Sequence, residues 1–167
     1  MALTTTSFVC ALALGVLLTA PLQGRADALD PRLEATTRLY REEGAARALP
    51  EFEKLASEFA QGSQTHDQAA ALHYVGECHW RLGNFPDAHR YLDRALKLER
   101  ASGDRLSEGK TLNVLGLLSW DEGNYDQAIA DFRMAGGLAR AVGDKKLEGS
   151  SLNNLSLVYD EQGDYDT

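Results

Sequence analysis

The sequence predicts an all-α fold, a solenoid of antiparallel helix pairs stacked in chain order. Three observations predict it: the chain resembles itself at an offset of 40 residues, apolar residues recur at spacings of three and four, and a glycine-centred turn follows each apolar stretch. At that offset "GNF" at 83–85 aligns with "GNY" at 123–125 and with "GDY" at 163–165. A repeat of this length is typical of stacked helical units, each of which buries its apolar face against the next.

The first helix of each unit is predicted from apolar and small residues that share one face. The aligned positions are Leu72, Val75, Gly76 and His79 with Leu112, Leu115, Gly116 and Ser119. We expect the repeated glycine to lie where the two helices of a pair approach closely. Glycine at 83 and 123 ends the first helix, and the aromatic residue two positions on begins the second. The predicted helices span about 69–82 and 85–101 in one unit and about 107–122 and 125–141 in the next.

The turn between units has its own repeated signature. Gly103 and Gly143 suit a helix C-terminus, and Asp104 and Asp144 follow as predicted N-caps of the next helix. Acidic residues at 108 and 148 then fall in the first turn, where the helix dipole favours them.

Four units are predicted along the mature chain. Residues 67–106 and 107–146 are complete repeats, residues 29–66 form a degenerate first copy with Gly44 in its turn, and residues 147–167 hold the first helix of a fourth copy. Pro50 falls inside the predicted second helix of the first copy and indicates a late helix start or a kink. An atypical terminal repeat is expected because it caps the stack.

The fourth copy stops early in its second helix. We therefore expect Leu152, Leu155, Val158 and Tyr159 to lie on an uncovered apolar face, and the chain to be the front of a longer protein. Self-association through this last repeat is a further expectation.

The repeated residues resemble the tetratricopeptide repeat. The resemblance rests on Leu112 to Gly116, Gly123 to Tyr125, Ala128, Phe132 and Ala135, and on the corresponding residues of the last copy. The family's usual period is about 34 residues, whereas the longer form found here resembles kinesin light chains and bacterial proteins whose repeats precede a caspase-like CHAT domain. The resemblance implies a right-handed solenoid whose first helices line a concave groove that binds a protein partner.

Residues predicted to face that groove follow from the resemblance and from the polar face of each first helix. They are Ala70, His73, Tyr74, Glu77, Trp80, Arg81, Lys110, Asn113, Val114, Leu117, Trp120, Asp121, Ser150, Asn153, Asn154, Leu157, Asp160 and Glu161. Asparagine offers a donor and an acceptor to a peptide backbone. The two tryptophans occupy equivalent sites and form either an aromatic rail for apolar side chains or a packing contact between repeats.

No catalytic residues, metal ligands or cofactor site are predicted. His73 and His79 are six residues apart and lie on different faces of one helix. Cys78 aligns with Leu118 and Val158, which predicts a buried side chain, and His79 is expected to pack within its own repeat. The net charge is −8 and no basic patch stands out in the sequence. Neither a nucleic acid nor, beyond export, an anionic membrane surface is therefore an expected partner.

Two functions remain open. The leading one is a non-enzymatic scaffold that binds a peptide segment of a protein partner in the groove. The alternative is the regulatory repeat region of a longer enzyme, such as a CHAT-type cysteine peptidase whose catalytic domain is not in this chain.

Residues 1–28 are predicted to be a signal peptide. Phe8 to Ala20 form an apolar run of 13 residues, shorter than the ~20 that span a bilayer, and "ADA" at 26–28 fits a cleavage site. The expected location is therefore secreted or periplasmic. An uncleaved segment that anchors the protein in a membrane is the alternative, since no Lys or Arg precedes the run.

Overall fold

The computed structural model describes residues 28–163 as a series of seven helices, with no strand in that range. The helices are α1 (Pro31–Glu43), α2 (Ala45–Gln61), α3 (Thr65–Arg81), α4 (Phe85–Ser102), α5 (Arg105–Asp121), α6 (Tyr125–Val142) and α7 (Lys145–Gln162). Each helix packs on the next along the chain, and α5 also contacts α3 and α7. The predicted all-α stack of helix pairs is thus confirmed, while the predicted signal peptide lies almost wholly outside the described residues.

The turns between helices have the predicted chemistry. Gly83 and Gly123 adopt φ of 76° and 77°, in the left-handed region that glycine enters without strain. Asp104 caps α5 by accepting the Ser107 N–H at 3.0 Å, and Asp144 caps α7 in the same way. Predicted helix starts were late, since α3 begins at Thr65 and α5 at Arg105.

An arginine–glutamate pair closes the turn between units in both complete repeats. Arg100 Nε lies 2.7 Å from Glu108 Oε1, and Arg140 Nε lies 2.7 Å from Glu148 Oε1. Both arginines are exposed, so water screens each pair and its contribution to stability is small. The pair joins the end of one unit to the start of the next at each turn.

Pro50 lies inside α2 without starting it. The helix begins at Ala45 and continues through the proline to Gln61, so a late helix start is the wrong interpretation. The proline has no N–H, and its place in the helix leaves one backbone carbonyl without an intrahelical partner. Pro50 is exposed, which lets water reach that part of the helix.

The core runs along the stack as three groups of buried side chains. The first group joins α1 to α4 around Phe52, Phe59 and Leu72, and the second joins α4 to α6 around Leu92 and Leu118. The third lies between α6 and α7, around Phe132 and Val158. Each group is made of side chains from at least two helices.

The predicted uncovered face of α7 is only partly uncovered. Val158 is completely buried against Ala128 and Phe132, so the expectation for this residue was wrong. The reason is that α7 packs on α6, the second helix of the preceding unit, and also contacts α5. Leu152, by contrast, is 50% exposed.

Glycine permits the close approach of the two helices in each complete pair. A Cβ at Gly76 would lie 2.5 Å from Leu92 Cγ and 3.1 Å from the Leu92 backbone N. A Cβ at Gly116 would lie 2.7 Å from Phe132 Cε1. These distances confirm the packing role predicted for the repeated glycine.

Gly76→Ala is expected to destabilise the fold by ~1–3 kcal/mol, because the backbone of α4 must move to admit the methyl group. Gly137→Ala is the matched control in a helix interior, since a Cβ there meets nothing within 4 Å. That control should be neutral or stabilising by up to ~1 kcal/mol. Urea unfolding followed by circular dichroism measures both, and equal midpoints for the two variants would contradict the close-approach interpretation.

Candidate binding surface

The sequence-predicted groove residues lie on α3, α5 and α7, the first helices of three successive units. Hydrogen bonds between units connect their side chains into one surface, which we call the first-helix face. It is made of the eighteen residues predicted above.

Three hydrogen bonds of one type cross from one first helix to the next. The Trp80 indole N–H donates to Asp121 Oδ2 at 2.7 Å, and the Trp120 indole N–H donates to a carboxylate oxygen of Glu161. The Tyr40 hydroxyl donates to Glu77 Oε1 at 2.8 Å in the same manner. The aromatic rings therefore join successive units, and both tryptophans are half-buried with one part of the ring left on the surface.

The asparagines divide into two kinds. Asn113 Oδ1 accepts from Ser151 Oγ and from Asn154 Nδ2, each at 3.2 Å, so these amides connect α5 to α7. Asn153 is exposed on α7. Of the three, Asn153 has the amide most open to a peptide backbone.

The remaining predicted residues differ in how much of each side chain is accessible. Tyr74 stacks on Phe52 at 4.9 Å between ring centroids and belongs mainly to the core. Arg81 is exposed, with its guanidinium 5.2 Å from the Trp80 ring centroid. Leu117 packs partly buried beside Trp120, whereas Leu157 is 42% exposed.

The predicted packing roles of Cys78 and His79 are confirmed. Cys78 is fully buried, and burial raises the pKa of its thiol to about 12, which keeps it protonated and unreactive. His79 stacks on Tyr91 of its own repeat, with ring centroids 5.3 Å apart. The Nδ1 atom of His73 instead lies 2.9 Å from Thr111 Oγ1 on α5. The two histidines therefore make different contacts.

A cavity of about 540 Å³ opens where the first turns of α3 face the turn between α4 and α5. Four residues of the first-helix face line it: Ala70, His73, Tyr74 and Lys110. This volume is that of a pocket for a small molecule or for one large side chain.

Glu99 lines the cavity and is 1% exposed. Thr111 Oγ1 donates to its Oε1 at 2.8 Å, while its Oε2 has no hydrogen-bond partner among the described residues. Burial raises the pKa of this carboxyl to about 7, and the hydrogen bond from Thr111 opposes that rise. A carboxyl group that changes charge near neutral pH therefore lies inside the repeat stack.

His73, Thr111 and Glu99 form a hydrogen-bonded chain across three helices. When Glu99 is ionised, Thr111 donates to it and must accept from His73 Nδ1–H, because a hydroxyl has one proton to donate. Burial lowers the pKa of His73, which favours its neutral form. A proton on Glu99 Oε1 allows every bond of the chain to reverse.

Sequence reasoning missed Glu99 and Thr111, although a signal was present. At the offset of 40 residues Glu99 aligns with Phe59 and Ala139, both fully buried apolar residues. A carboxylate at a position that is apolar in the neighbouring copies indicates a role other than core packing. Thr111 aligns with Ser151, so its hydroxyl belongs to a recurring polar contact.

Within residues 28–163, no three His, Cys, Asp or Glu side chains are grouped as a metal site requires. Among those residues, too, no helix has the length and apolar character to cross a membrane.

The buried carboxyl at Glu99 predicts a pH-dependent stability. Because its pKa rises from 4.5 to about 7 on folding, the folded state binds more protons than the unfolded state between these pH values. The free energy of unfolding should therefore fall as pH rises through this window, by ~3 kcal/mol in total, and stay lower above it.

Urea unfolding of the wild type and of Glu99→Gln at pH 5 and pH 8 isolates this contribution. Asp131 is also buried with a raised pKa, so the difference between the two proteins is the informative quantity. We expect the variant to gain stability over the wild type at pH 8 and to lose that gain at pH 5. An equal difference at both pH values would contradict the assignment.

Residues 67–136 match the tetratricopeptide repeat family model, which covers α4, α5 and most of α3 and α6. A search of curated proteins finds no match to the chain. Repeats of this family generally mediate protein–protein interaction. The pair α1–α2 before the matched residues and the helix α7 after them continue the same helical stack. Residues 67–136 thus belong to the tetratricopeptide repeat family, and the seven consecutive helices of residues 28–163 are consistent with a repeat protein of this type.

Proposed function

We propose that this protein is a scaffold without chemistry of its own, which binds a peptide segment of a protein partner along the first-helix face. The observation that carries the proposal is the continuity of this face across three units. Hydrogen bonds from Tyr40 to Glu77, from Trp80 to Asp121 and from Trp120 to Glu161 hold successive first helices in register. A surface held in this way is ordered before the partner arrives, which lowers the entropic cost of binding.

The surface offers the contacts that an extended peptide requires. Arg81 and Asn153 are exposed donors, and Leu157 is an exposed apolar side chain on the same face. The half-buried rings of Trp80 and Trp120 supply apolar area between them. Polar groups for the backbone and apolar area for side chains are the usual combination in peptide recognition.

The cavity beside Glu99 gives this face a concave region. His73 and Lys110 belong both to the face and to the cavity lining. A peptide that runs along the face can therefore insert one side chain into this cavity, between α3 and the α4–α5 turn.

Selection of a random peptide library displayed on phage, with the full chain as bait, tests the proposal. We expect enriched peptides to lose binding at least ~10-fold, or ~1.4 kcal/mol, when Arg81→Ser and Asn153→Ala are combined. The matched control combines Lys97→Ser and Met134→Ala, two exposed changes on the second helices α4 and α6.

The control variant should bind the selected peptides as the wild type does. Circular dichroism melts of both variants check that neither change unfolds the stack. Peptides that lose binding equally in both variants would contradict the first-helix face as the binding surface, and no enrichment at all would contradict the scaffold function.

A further inference from the structure

The fold does not require a carboxylate at position 99. The corresponding residues of the neighbouring repeats are Phe59 and Ala139, and both are fully buried. An apolar side chain at this position packs between successive units without any polar partner. Glu99 thus places a costly polar group where the neighbouring copies have none.

One carboxylate oxygen of Glu99 has no hydrogen-bond partner within residues 28–163. Oε1 accepts from Thr111, whereas Oε2 is buried and has no partner among the described residues. The same side chain lines the cavity between α3 and the α4–α5 turn. A hydrogen-bond donor held inside the cavity would satisfy this oxygen and offset the cost of its burial.

The charges that line the cavity favour a cationic donor. Asp104 is the second carboxylate there, and it accepts from the Ser107 N–H and lies 3.4 Å from His66 Nε2. His73 is held neutral by burial. Lys110 is exposed, and its charge favours the ionised form of Glu99. Even so, Glu99 Oε2 has no hydrogen-bond partner among the described residues.

The walls of the cavity suit an aliphatic stem. Leu29, Ala70 and Leu106 line it together with the polar groups. An alkyl chain of several carbons can lie against these residues while its charged end reaches Glu99, since long basic side chains combine an apolar stem with a polar head.

We propose that this cavity binds the guanidinium or ammonium end of an arginine or lysine side chain from the bound peptide, with Glu99 as the acceptor. The inference rests on the proposed function for the source of the side chain. A free alkylammonium or alkylguanidinium ion has the same chemistry, and the experiment separates the two sources.

The experiment is an NMR titration of the full chain, observed at the Thr111 methyl group and at the His73 ring. The probes are N-acetylarginine methylamide, its neutral isostere N-acetylcitrulline methylamide, n-butylguanidinium, and a nine-residue peptide with a single central arginine. We expect the arginine probe to shift both signals and to bind at least ~10-fold more tightly than the citrulline probe.

Variants assign the binding to Glu99. Glu99→Gln keeps the shape of the side chain, and Glu99→Ala reproduces the residue of the next repeat, so a folded protein is available in either case. Both variants should bind the arginine probe at least ~10-fold more weakly than the wild type. Lys110→Met should bind it more tightly, because a charge that repels the cation is removed. Unchanged affinity in both Glu99 variants would overturn the proposal.

Comparison of n-butylguanidinium with the arginine peptide identifies the source of the cation. We expect the arginine peptide to bind ~10-fold more tightly than n-butylguanidinium, because flanking residues contact the first-helix face. Equal affinity would overturn the peptide source in favour of a free small cation.

Failure of this inference is distinguishable from failure of the proposed function. If peptides selected on the chain bind equally well to Glu99→Gln, the cavity assignment is wrong and the scaffold stands. If the arginine probe binds beside Glu99 but no peptide is ever enriched, the scaffold function is wrong and the cation site stands.

Discussion

The close approach of the two helices in each repeat is the constraint on which the rest of the structure depends. Gly76 and Gly116 let α3 and α5 approach their partner helices until a side chain of the second helix occupies the place of a Cβ. The buried side chains of each pair belong to groups that also include side chains of a neighbouring pair. Such a pair cannot bury its apolar surface alone, so stability comes from stacking the next pair on it.

Stacking brings the first helices side by side and decides which polar groups meet. Contacts such as Trp80 with Asp121 and Asn113 with Asn154 join residues about one repeat apart. These bonds contribute modestly to stability because many are partly exposed. Their main effect is to hold one face of the stack as a continuous ordered surface, which is the property that a peptide-binding scaffold needs.

Glu99 departs from this regular pattern. Its neighbours along the stack at the same position are apolar, yet it is buried beside a cavity with one oxygen unsatisfied. Departures from the local rules of packing are expected at functional or strained sites. This buried carboxyl lies beneath the first-helix face, at the cavity that His73 and Lys110 also line.

The sequence by itself determined the helix pairs, their turns and the period, because these follow from local chemistry. Gly83 adopts a left-handed backbone conformation and Asp104 caps α5, and neither role depends on how the units pack on one another. The same local reasoning assigned Cys78 and His79 to packing, since their aligned residues are apolar or small.

Only the tertiary structure decided which side chains are accessible on the first-helix face and what lies beneath it. The burial of Val158 against Phe132 and the chain from His73 through Thr111 to Glu99 depend on how one helix pair rests on the next. The cavity between α3 and the α4–α5 turn arises in the same way. Periodicity defines the face of a helix, whereas contact across units depends on the distances between helices, which no spacing along the chain contains.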